Sequence, residues 1–272
     1  MTTRQVTQER ASPDSTRLSD ADAARVLELL KDADTVELKT SVPVQAQRAA
    51  IAGLPLDPVE AQPRQVFFFD TPELALDKAG LVVRARRIQG GRGDTVIKLR
   101  PVVPASLPRD LRRSAGFGVE VDALPGGFMC SASLKGIATG QEVRDAVDKA
   151  TPLRKLFTKE QRALYAAHAP EGITLDDLTI LGPTFVLKST FQAAFIERSD
   201  APKRRIVAEM WLFADGSRVL EISLKCLPAE AFQVAAEARA WLTRRGVDIS
   251  GEQSAKTRTA LTYFAAQAKA SA

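Results

Sequence analysis

Charged residues occur in pairs, two positions apart, along several short segments of this 272-residue sequence. The pairs are Arg84 with Arg86, Lys98 with Arg100, and Glu120 with Asp122. Side chains two positions apart in a β-strand lie on the same face, so each pair places like charges side by side. Like charges at that spacing repel each other unless a counter-charge lies between them. The pairs therefore predict that these strands line a binding site for ions.

A cation site is predicted near the dipeptide Asp215-Gly216, which is typical of a β-hairpin turn. With the turn at that point, three pairs face each other across the strands: Glu209 with Glu221, Val207 with Ser223, and Arg205 with Lys225. Two facing carboxylates are costly without a cation between them. Their oxygen atoms suit Mg²⁺ or Mn²⁺, above all where substrate phosphates complete the coordination shell.

The same segments alternate between apolar and charged residues, which is typical of β-strands with one apolar and one charged face. An open antiparallel sheet with one face in water would also give this pattern. The separation of bases and acids onto different strands favours a closed barrel with a charged lumen. Because no regular βα alternation is present, we expect antiparallel strands. The predicted fold is therefore α+β, an antiparallel barrel, or tunnel, with helices packed outside.

The chain is predicted to contain a disordered polar tail at residues 1–17 and a single tunnel domain at residues 18–268. A helical insertion near residues 141–170 separates two strand-rich halves. Two C-terminal helices are predicted, one opening at Pro228 and the other near Ser250. We expect the helices at both ends of the chain to cover the apolar outer face of the barrel.

Composition argues against several classes of function. The excess of 38 Lys and Arg over 33 Asp and Glu is mild, and the sequence has no nucleic-acid-binding motif, so no nucleic-acid partner is expected. No apolar run could span a membrane, and we expect a cytoplasmic protein without a membrane partner. Cys130 and Cys226 fit neither a disulfide framework nor a zinc site. Because the sequence contains a single histidine, Ser-His or Cys-His catalysis is not expected.

One long segment, VFFFDTPELALDKAGLVVRARR at residues 66–87, is the most distinctive in the chain. Four shorter segments accompany it: DTVIKLRP at 94–101, VEVD at 119–122, VLEISLK at 219–225 and SAKTRTAL at 254–261. Together they resemble the CYTH, or triphosphate tunnel, superfamily, which includes inorganic and thiamine triphosphatases and class IV adenylate cyclases. The resemblance extends from about residue 34 to residue 264 and implies a tunnel that holds a triphosphate with divalent metal.

The resemblance also implies roles for individual residues. The residues implied to bind the triphosphate are Lys39, Arg84, Arg86, Lys98, Arg100 and Lys256. Arg205 and Lys225 of the predicted hairpin complete the substrate-binding set. The residues implied to bind or orient the metal are Glu37, Glu120, Asp122, Glu209 and Glu221. Glu37 and Lys39 form the predicted catalytic pair, whereas Thr35 and Ser223 stand where the family carries further acids.

The expected function is metal-dependent hydrolysis of tripolyphosphate or of a nucleoside or thiamine triphosphate, with Mg²⁺ or Mn²⁺ positioning the attacking water. One alternative is cyclisation of ATP to cyclic AMP, as in class IV adenylate cyclases. Another is a non-catalytic protein that binds polyphosphate or a nucleotide, which the departures at Thr35 and Ser223 motivate. Product analysis separates the two enzymes, and binding without turnover identifies the third alternative.

Overall fold

Nine β-strands close into a barrel in the computed structural model, which describes residues 20–125, 127–196, 200–249 and 256–270. The strands are β1 (Thr35–Val42), β2 (Gln62–Asp70), β3 (Leu81–Ile88), β4 (Gly93–Leu99), β5 (Phe117–Leu124), β6 (Gly127–Ala138), β7 (Thr179–Ala194), β8 (Lys203–Leu212) and β9 (Arg218–Cys226). Around the barrel they follow the order β1-β5-β6-β4-β3-β2-β7-β8-β9, and β9 pairs with β1 to close the ring.

The barrel is mixed rather than wholly antiparallel, because β1 and β5 run parallel to each other. The expectation of an antiparallel barrel is corrected in this respect. Strand direction alternates around an antiparallel ring, so such a ring needs an even number of strands, and nine strands require a parallel pair. The parallel register sets Thr35 beside Glu120 and Glu37 beside Asp122, which brings acidic residues of two strands together.

Helices surround the barrel. They are α1 (Asp20–Lys31), α2 (Gln47–Gly53), α3 (Ala75–Lys78), α4 (Arg109–Arg112), α5 (Gly140–Val147), α6 (Lys159–His168), α7 (Ala231–Arg244) and α8 (Lys256–Ala270). The helical segment predicted near residues 141–170 contains α5 and α6. The predicted tail at residues 1–17 and the predicted helix start near Ser250 lie outside the described residues. Among the described helices, none has the length and apolar character needed to cross a membrane.

Two apolar layers cover the outer face of the barrel. The first joins α1 and α7 to one side of the ring through Val26, Leu30, Val234, Trp241, Val36 and Ile222. The second joins α5 and α6 to the other side through Val143, Ala146, Leu164, Tyr165, Val83 and Ile97. The apolar side chains of the strands face these helices, and the charged side chains face the inside of the barrel. This arrangement is favoured because full burial of each large apolar side chain contributes about 1.5–3 kcal/mol.

The last helix, α8, closes one end of the barrel instead of covering its outer face. Ala260, Leu261 and Phe264 of α8 cluster with Phe68, Val82 and Trp211. Those three strand residues also line the lumen. The expectation that both terminal regions cover the outer face is therefore wrong for α8, because the apolar residues that it buries face the inside of the barrel.

The Asp-Thr pair of the long distinctive segment has a structural role at the end of β2. The carboxylate of Asp70 is buried and accepts backbone hydrogen bonds from Thr71, Leu76 and Asp77 at 2.7, 2.8 and 3.0 Å. These bonds fix the turn that contains α3, and β3 begins directly after it. Asp70 therefore helps to place Arg84, which lies on β3.

We expect Gly136→Ala to destabilise the barrel. A Cβ atom at Gly136 would lie 2.6 Å from Oγ1 of Thr95 and 2.7 Å from Oε1 of Gln161. Gln161 is fully buried and donates to the backbone carbonyls of Thr95 and Leu134, so it can move only by losing hydrogen bonds. The expected loss is about 1–3 kcal/mol, measured by urea unfolding. Gly127→Ala on the same strand is the control, because its added Cβ meets no atom within 4 Å. Equal losses in both variants would contradict this explanation.

Candidate functional site

The candidate site is the lumen of the barrel, a cavity of about 400 Å³. All thirteen predicted site residues line it: Glu37, Lys39, Arg84, Arg86, Lys98, Arg100, Glu120, Asp122, Arg205, Glu209, Glu221, Lys225 and Lys256. Two further basic residues, Lys135 and Lys188, also line it. Ten basic side chains thus face five carboxylates, so the charge of the lumen is strongly positive.

The hairpin of β8 and β9 has the register that the sequence predicts. Glu209 pairs with Glu221 and Val207 with Ser223 across the two strands. The turn lies at the predicted dipeptide: Gly216 has a positive φ of 81°, and the carboxylate of Asp215 accepts a hydrogen bond from the backbone N–H of Ser217 at 2.9 Å. A tight turn of this kind sets which residues face each other, and the alternation then directs both glutamates into the lumen.

Three carboxylates lie close enough together to hold one metal ion. Glu37 of β1 and Glu120 and Asp122 of β5 each offer an oxygen, and these oxygens lie within 4.8 Å of one another. We call these residues the acidic triad. Although burial opposes ionisation, the nearby Lys39 and Lys225 ammonium groups hold the pKa of Glu37 well below its usual value. The triad therefore contains an ionised carboxylate at neutral pH, as binding of a hard divalent cation requires.

Lysines neutralise part of the acidic triad. Lys39 Nζ lies 2.9 Å from Glu37 and 2.8 Å from Asp122, and Lys98 Nζ lies 3.3 Å from Asp122. Lys225 forms an ion pair with Glu120. Burial opposes ionisation of Asp122 too, but Lys98 and Lys39 hold its pKa below the usual value. The predicted catalytic residues Glu37 and Lys39 thus lie in direct contact.

The other two acids form a separate group around Lys256. Its Nζ lies 3.0 Å from Glu209 and 2.5 Å from Glu221. The same ammonium lies 4.7 Å from the ring centre of Trp211, and the indole N–H of Trp211 donates to Glu209 at 3.1 Å. Although burial opposes ionisation of Glu209, Lys256 holds the pKa of Glu209 at about 2. The cation between the paired glutamates is therefore a protein ammonium.

The guanidinium of Arg84 differs from those of Arg86 and Arg100, which also line the lumen, because it has no carboxylate partner among the described residues. Arg86 pairs with Asp94 at 2.6 Å and Arg100 with Asp77 at 3.3 Å. Among the described residues, Arg84 makes no such pair, and its Nε is buried without a hydrogen-bond partner. Burial, together with the neighbouring Arg86, lowers the pKa of Arg84 to about 10. A buried guanidinium in this state is ready to bind an anion.

Lys188 faces the lumen opposite Glu209, although the alternation in its segment is too irregular to predict from the sequence which way the side chain faces. Its strand, β7, pairs with β2 through an irregular register between Val66 and Phe68. Such an irregularity interrupts the period of two from which facing is deduced. Lys188 and Arg205 line both the lumen and an outer cavity of about 490 Å³ that also contains Arg64. Three basic side chains therefore line this outer cavity, together with the carboxylates of Asp57 and Glu60.

Anion binding is expected to weaken above pH 8 because of Lys188. Burial, together with Arg64, lowers the pKa of Lys188 to about 8. The side chain is cationic below that pH and loses its attraction for an anion as the pH rises. Metal-free tripolyphosphate binding, measured by calorimetry from pH 7 to 9.5, should decline for the wild type and vary less for Lys188→Met. Lys203→Met, on the exposed end of β8, should keep the wild-type profile. A wild-type profile in Lys188→Met would exclude this assignment.

Comparison with known proteins identifies similarity at the level of structure. No protein-family model matches the sequence, and no curated protein matches it. A solved structure of a proposed adenylate cyclase from Bacillus halodurans matches with a TM-score of 0.55 and 14% identity, covering 83% of this chain and 97% of the other. A protein from Hippeastrum, proposed as an adenylyl cyclase and described as having a dominant triphosphatase activity, matches with a TM-score of 0.58 and 13% identity, covering 84% of this chain and 94% of the other.

Proposed function

We propose that this protein, whose barrel has the fold of the CYTH-like superfamily, binds a triphosphate in its lumen and hydrolyses it with the help of a divalent metal ion. The observation that carries the proposal is Arg84, a guanidinium in the lumen whose Nε is buried without a hydrogen-bond partner and which has no carboxylate partner among the described residues. An isolated charge of this kind destabilises a protein unless a ligand compensates it. A phosphate oxygen is a ligand of suitable charge and geometry.

The charge of the lumen supports a ligand with several negative charges. Basic side chains outnumber carboxylates two to one in the cavity. Arg86 pairs with Asp94 and Arg100 with Asp77, and these ion pairs restrict the two guanidinium groups. A chain of phosphates placed beside the basic side chains of the lumen would receive charge-assisted hydrogen bonds from several strands at once. A ligand with a single phosphate could contact only a few of the ten basic side chains.

The acidic triad fits a hard divalent cation. It offers carboxylate oxygens only, which favours Mg²⁺ or Mn²⁺ over softer metals, and substrate phosphates would complete the coordination shell. A bound ion would supply charge neutralisation at the phosphates. Lys39 holds Glu37 and Asp122 in position through its ammonium. Arg84 and Lys98 would orient the phosphates, and such positioning accounts for most of the catalysis in phosphoryl transfer.

The lining of the lumen favours hydrolysis over cyclisation of ATP. Two aromatic residues line the described cavity, Phe68 and Trp211, and both pack against α8. A nucleotide base usually stacks on an aromatic or apolar surface, and the described lining offers no free aromatic ring for it. The proposed substrate is therefore recognised through its phosphates.

The test is a product assay on the purified protein. Tripolyphosphate, ATP and thiamine triphosphate are supplied separately with Mg²⁺ or Mn²⁺, and orthophosphate and cyclic AMP are measured together. The proposal expects orthophosphate from tripolyphosphate and its suppression by a chelator. Cyclic AMP with pyrophosphate as the main products would support the cyclase instead. Tight binding with no turnover of any of these compounds would support the non-catalytic alternative.

A further inference from the structure

Lys256 occupies the space between two carboxylates that face each other across a hairpin. Glu209 and Glu221 are paired in the register of β8 and β9, and Lys256 Nζ contacts both, at 3.0 and 2.5 Å. The side chains of all three residues are at most 18% exposed. A cation in this position relieves the repulsion that the register imposes on the two glutamates.

The position of Lys256 is fixed by the packing of its helix. Lys256 is the first residue of α8, and the ammonium lies over the ring of Trp211. Downstream in α8, Leu261 and Phe264 are buried in the apolar cluster that contains Trp211. Apolar burial along the helix therefore holds the ammonium between the glutamates. Removing the ammonium would leave the two glutamates without a counter-charge, which destabilises the folded protein.

The acidic triad differs from this pair of glutamates through its third carboxylate, Glu120. Lys39 bridges Glu37 and Asp122 much as Lys256 bridges its two glutamates, whereas Glu120 pairs with Lys225. Glu37, Glu120 and Asp122 form a three-carboxylate cluster among the described residues, whereas Glu209 and Glu221 are a pair beside Ser223. Lys225, which pairs with Glu120, is 47% exposed, while Lys256 is 18% exposed. Lys225 can leave the triad for solvent when a metal ion arrives. Lys256 has no comparable route, because its helix is anchored in the apolar cluster.

We propose that the Lys256 ammonium takes the place of a second metal ion in the lumen, so that the protein binds one divalent ion, at the acidic triad. This inference rests on the proposed function, because the Lys256 ammonium and the metal ion at the acidic triad would both bind the phosphate chain of the substrate. An ammonium has three N–H donors. Two of them meet Glu209 and Glu221, and the third remains for a phosphate oxygen, so that Lys256 joins the glutamates to the ligand as a metal ion would.

The experiment is a titration of the purified protein with Mn²⁺ alone, with free Mn²⁺ measured by electron paramagnetic resonance. The wild type should bind one Mn²⁺ per chain. Lys256→Met removes the ammonium and should add a second binding event, whereas Lys256→Arg should restore a stoichiometry of one. Lys269→Met is the matched control on the same helix, because Lys269 lies at the exposed end of α8, and it should keep the wild-type stoichiometry. Two ions in the wild type would overturn the proposal.

A second variant keeps the test decisive if Lys256→Met fails to fold. Glu209→Gln/Glu221→Gln keeps the shape of both side chains and removes their charge. The proposal expects this double variant to bind one Mn²⁺ with an affinity within about threefold of the wild type. A loss of Mn²⁺ binding in the double variant would show that the pair holds the metal. Tripolyphosphate binding is measured in a separate experiment. If the protein did not bind tripolyphosphate, the proposed function would be excluded, and the Mn²⁺ stoichiometry would still decide whether Lys256 replaces a second metal ion.

Discussion

Arg84→Met is expected to weaken tripolyphosphate binding about 30-fold or more while stabilising the unliganded protein. Arg84 lies in the lumen, and its Nε is buried without a hydrogen-bond partner. Truncating one partner of a buried charged pair costs about 2–5 kcal/mol of affinity, and 1.4 kcal/mol corresponds to a factor of ten. Isothermal calorimetry with tripolyphosphate in a chelating buffer measures this loss without a contribution from metal.

The gain in stability follows from the pKa of the same residue. Burial, with Arg86 beside it, lowers the pKa of Arg84 to about 10, so the folded state holds this proton less tightly than the unfolded chain does. For a base with a lowered pKa, the unfavourable contribution is fully present at pH values below the folded pKa, which includes neutral pH. Methionine removes the charge and keeps an unbranched side chain. We expect the free energy of unfolding to rise by about 1–3 kcal/mol at pH 7.

Arg87→Met is the matched control on the same strand. Arg87 donates to the backbone carbonyl of Gly140 at 3.1 Å and to the side chain of Gln65 at 2.5 Å. It does not line the described lumen. This variant should lose stability and keep its affinity for tripolyphosphate, the reverse of Arg84→Met. A loss of both affinity and stability in Arg84→Met would identify Arg84 as a structural residue.

The inward direction of the charged side chains could be predicted from sequence because it depends on local periodicity. In a strand the alternation of side chains is fixed, so Arg84 and Arg86 must share a face. The hairpin register was equally local, since the turn at Asp215-Gly216 determines that Glu209 meets Glu221. These local rules place most of the charged lumen.

The strands that carry weak patterns were harder to predict. Strand β6 was not predicted from the sequence, because its lumen-lining residues are Ser133 and the single charged residue Lys135, not a pair of like charges. The parallel pairing of β1 with β5 is set by closure of the ring between segments about 80 residues apart, which local alternation does not encode. The acidic triad forms across that pairing. Its members could be proposed from the sequence, whereas their separation from Glu209 and Glu221 could not.

The position of α8 relative to the barrel could not be predicted from its sequence pattern. An amphipathic helix presents the same apolar stripe whether it covers the outside of a barrel or closes its end. The partners of that stripe, Phe68 and Trp211, come from strands distant in sequence. The pairing of Lys256 with both glutamates follows from this placement. The sequence therefore predicted Lys256 as a lumen residue and left its partners open.

Glu37→Gln is expected to lower the affinity for Mn²⁺ about 100-fold or more and to reduce triphosphate hydrolysis by a similar factor. Loss of a residue that only supports a metal ligand costs 10–100-fold in metal affinity or activity, so loss of a direct carboxylate ligand should cost at least as much. The Lys39 and Lys225 ammonium groups, acting against burial, hold the pKa of Glu37 well below its usual value. The wild-type carboxylate is therefore charged throughout the physiological range, and glutamine removes a full negative charge from the acidic triad.

Metal-free binding of tripolyphosphate distinguishes loss of the metal from loss of the fold in this variant. Removing a negative charge from a lumen that attracts an anion should leave this affinity unchanged or raise it. Glu209→Gln/Glu221→Gln, which alters the acids held by Lys256, should keep its Mn²⁺ affinity and therefore serves as the control. If Glu37→Gln bound Mn²⁺ as tightly as the wild type, the metal would have to lie outside the acidic triad. If it also lost metal-free tripolyphosphate binding, Glu37 would be needed to position Lys39, which it contacts at 2.9 Å.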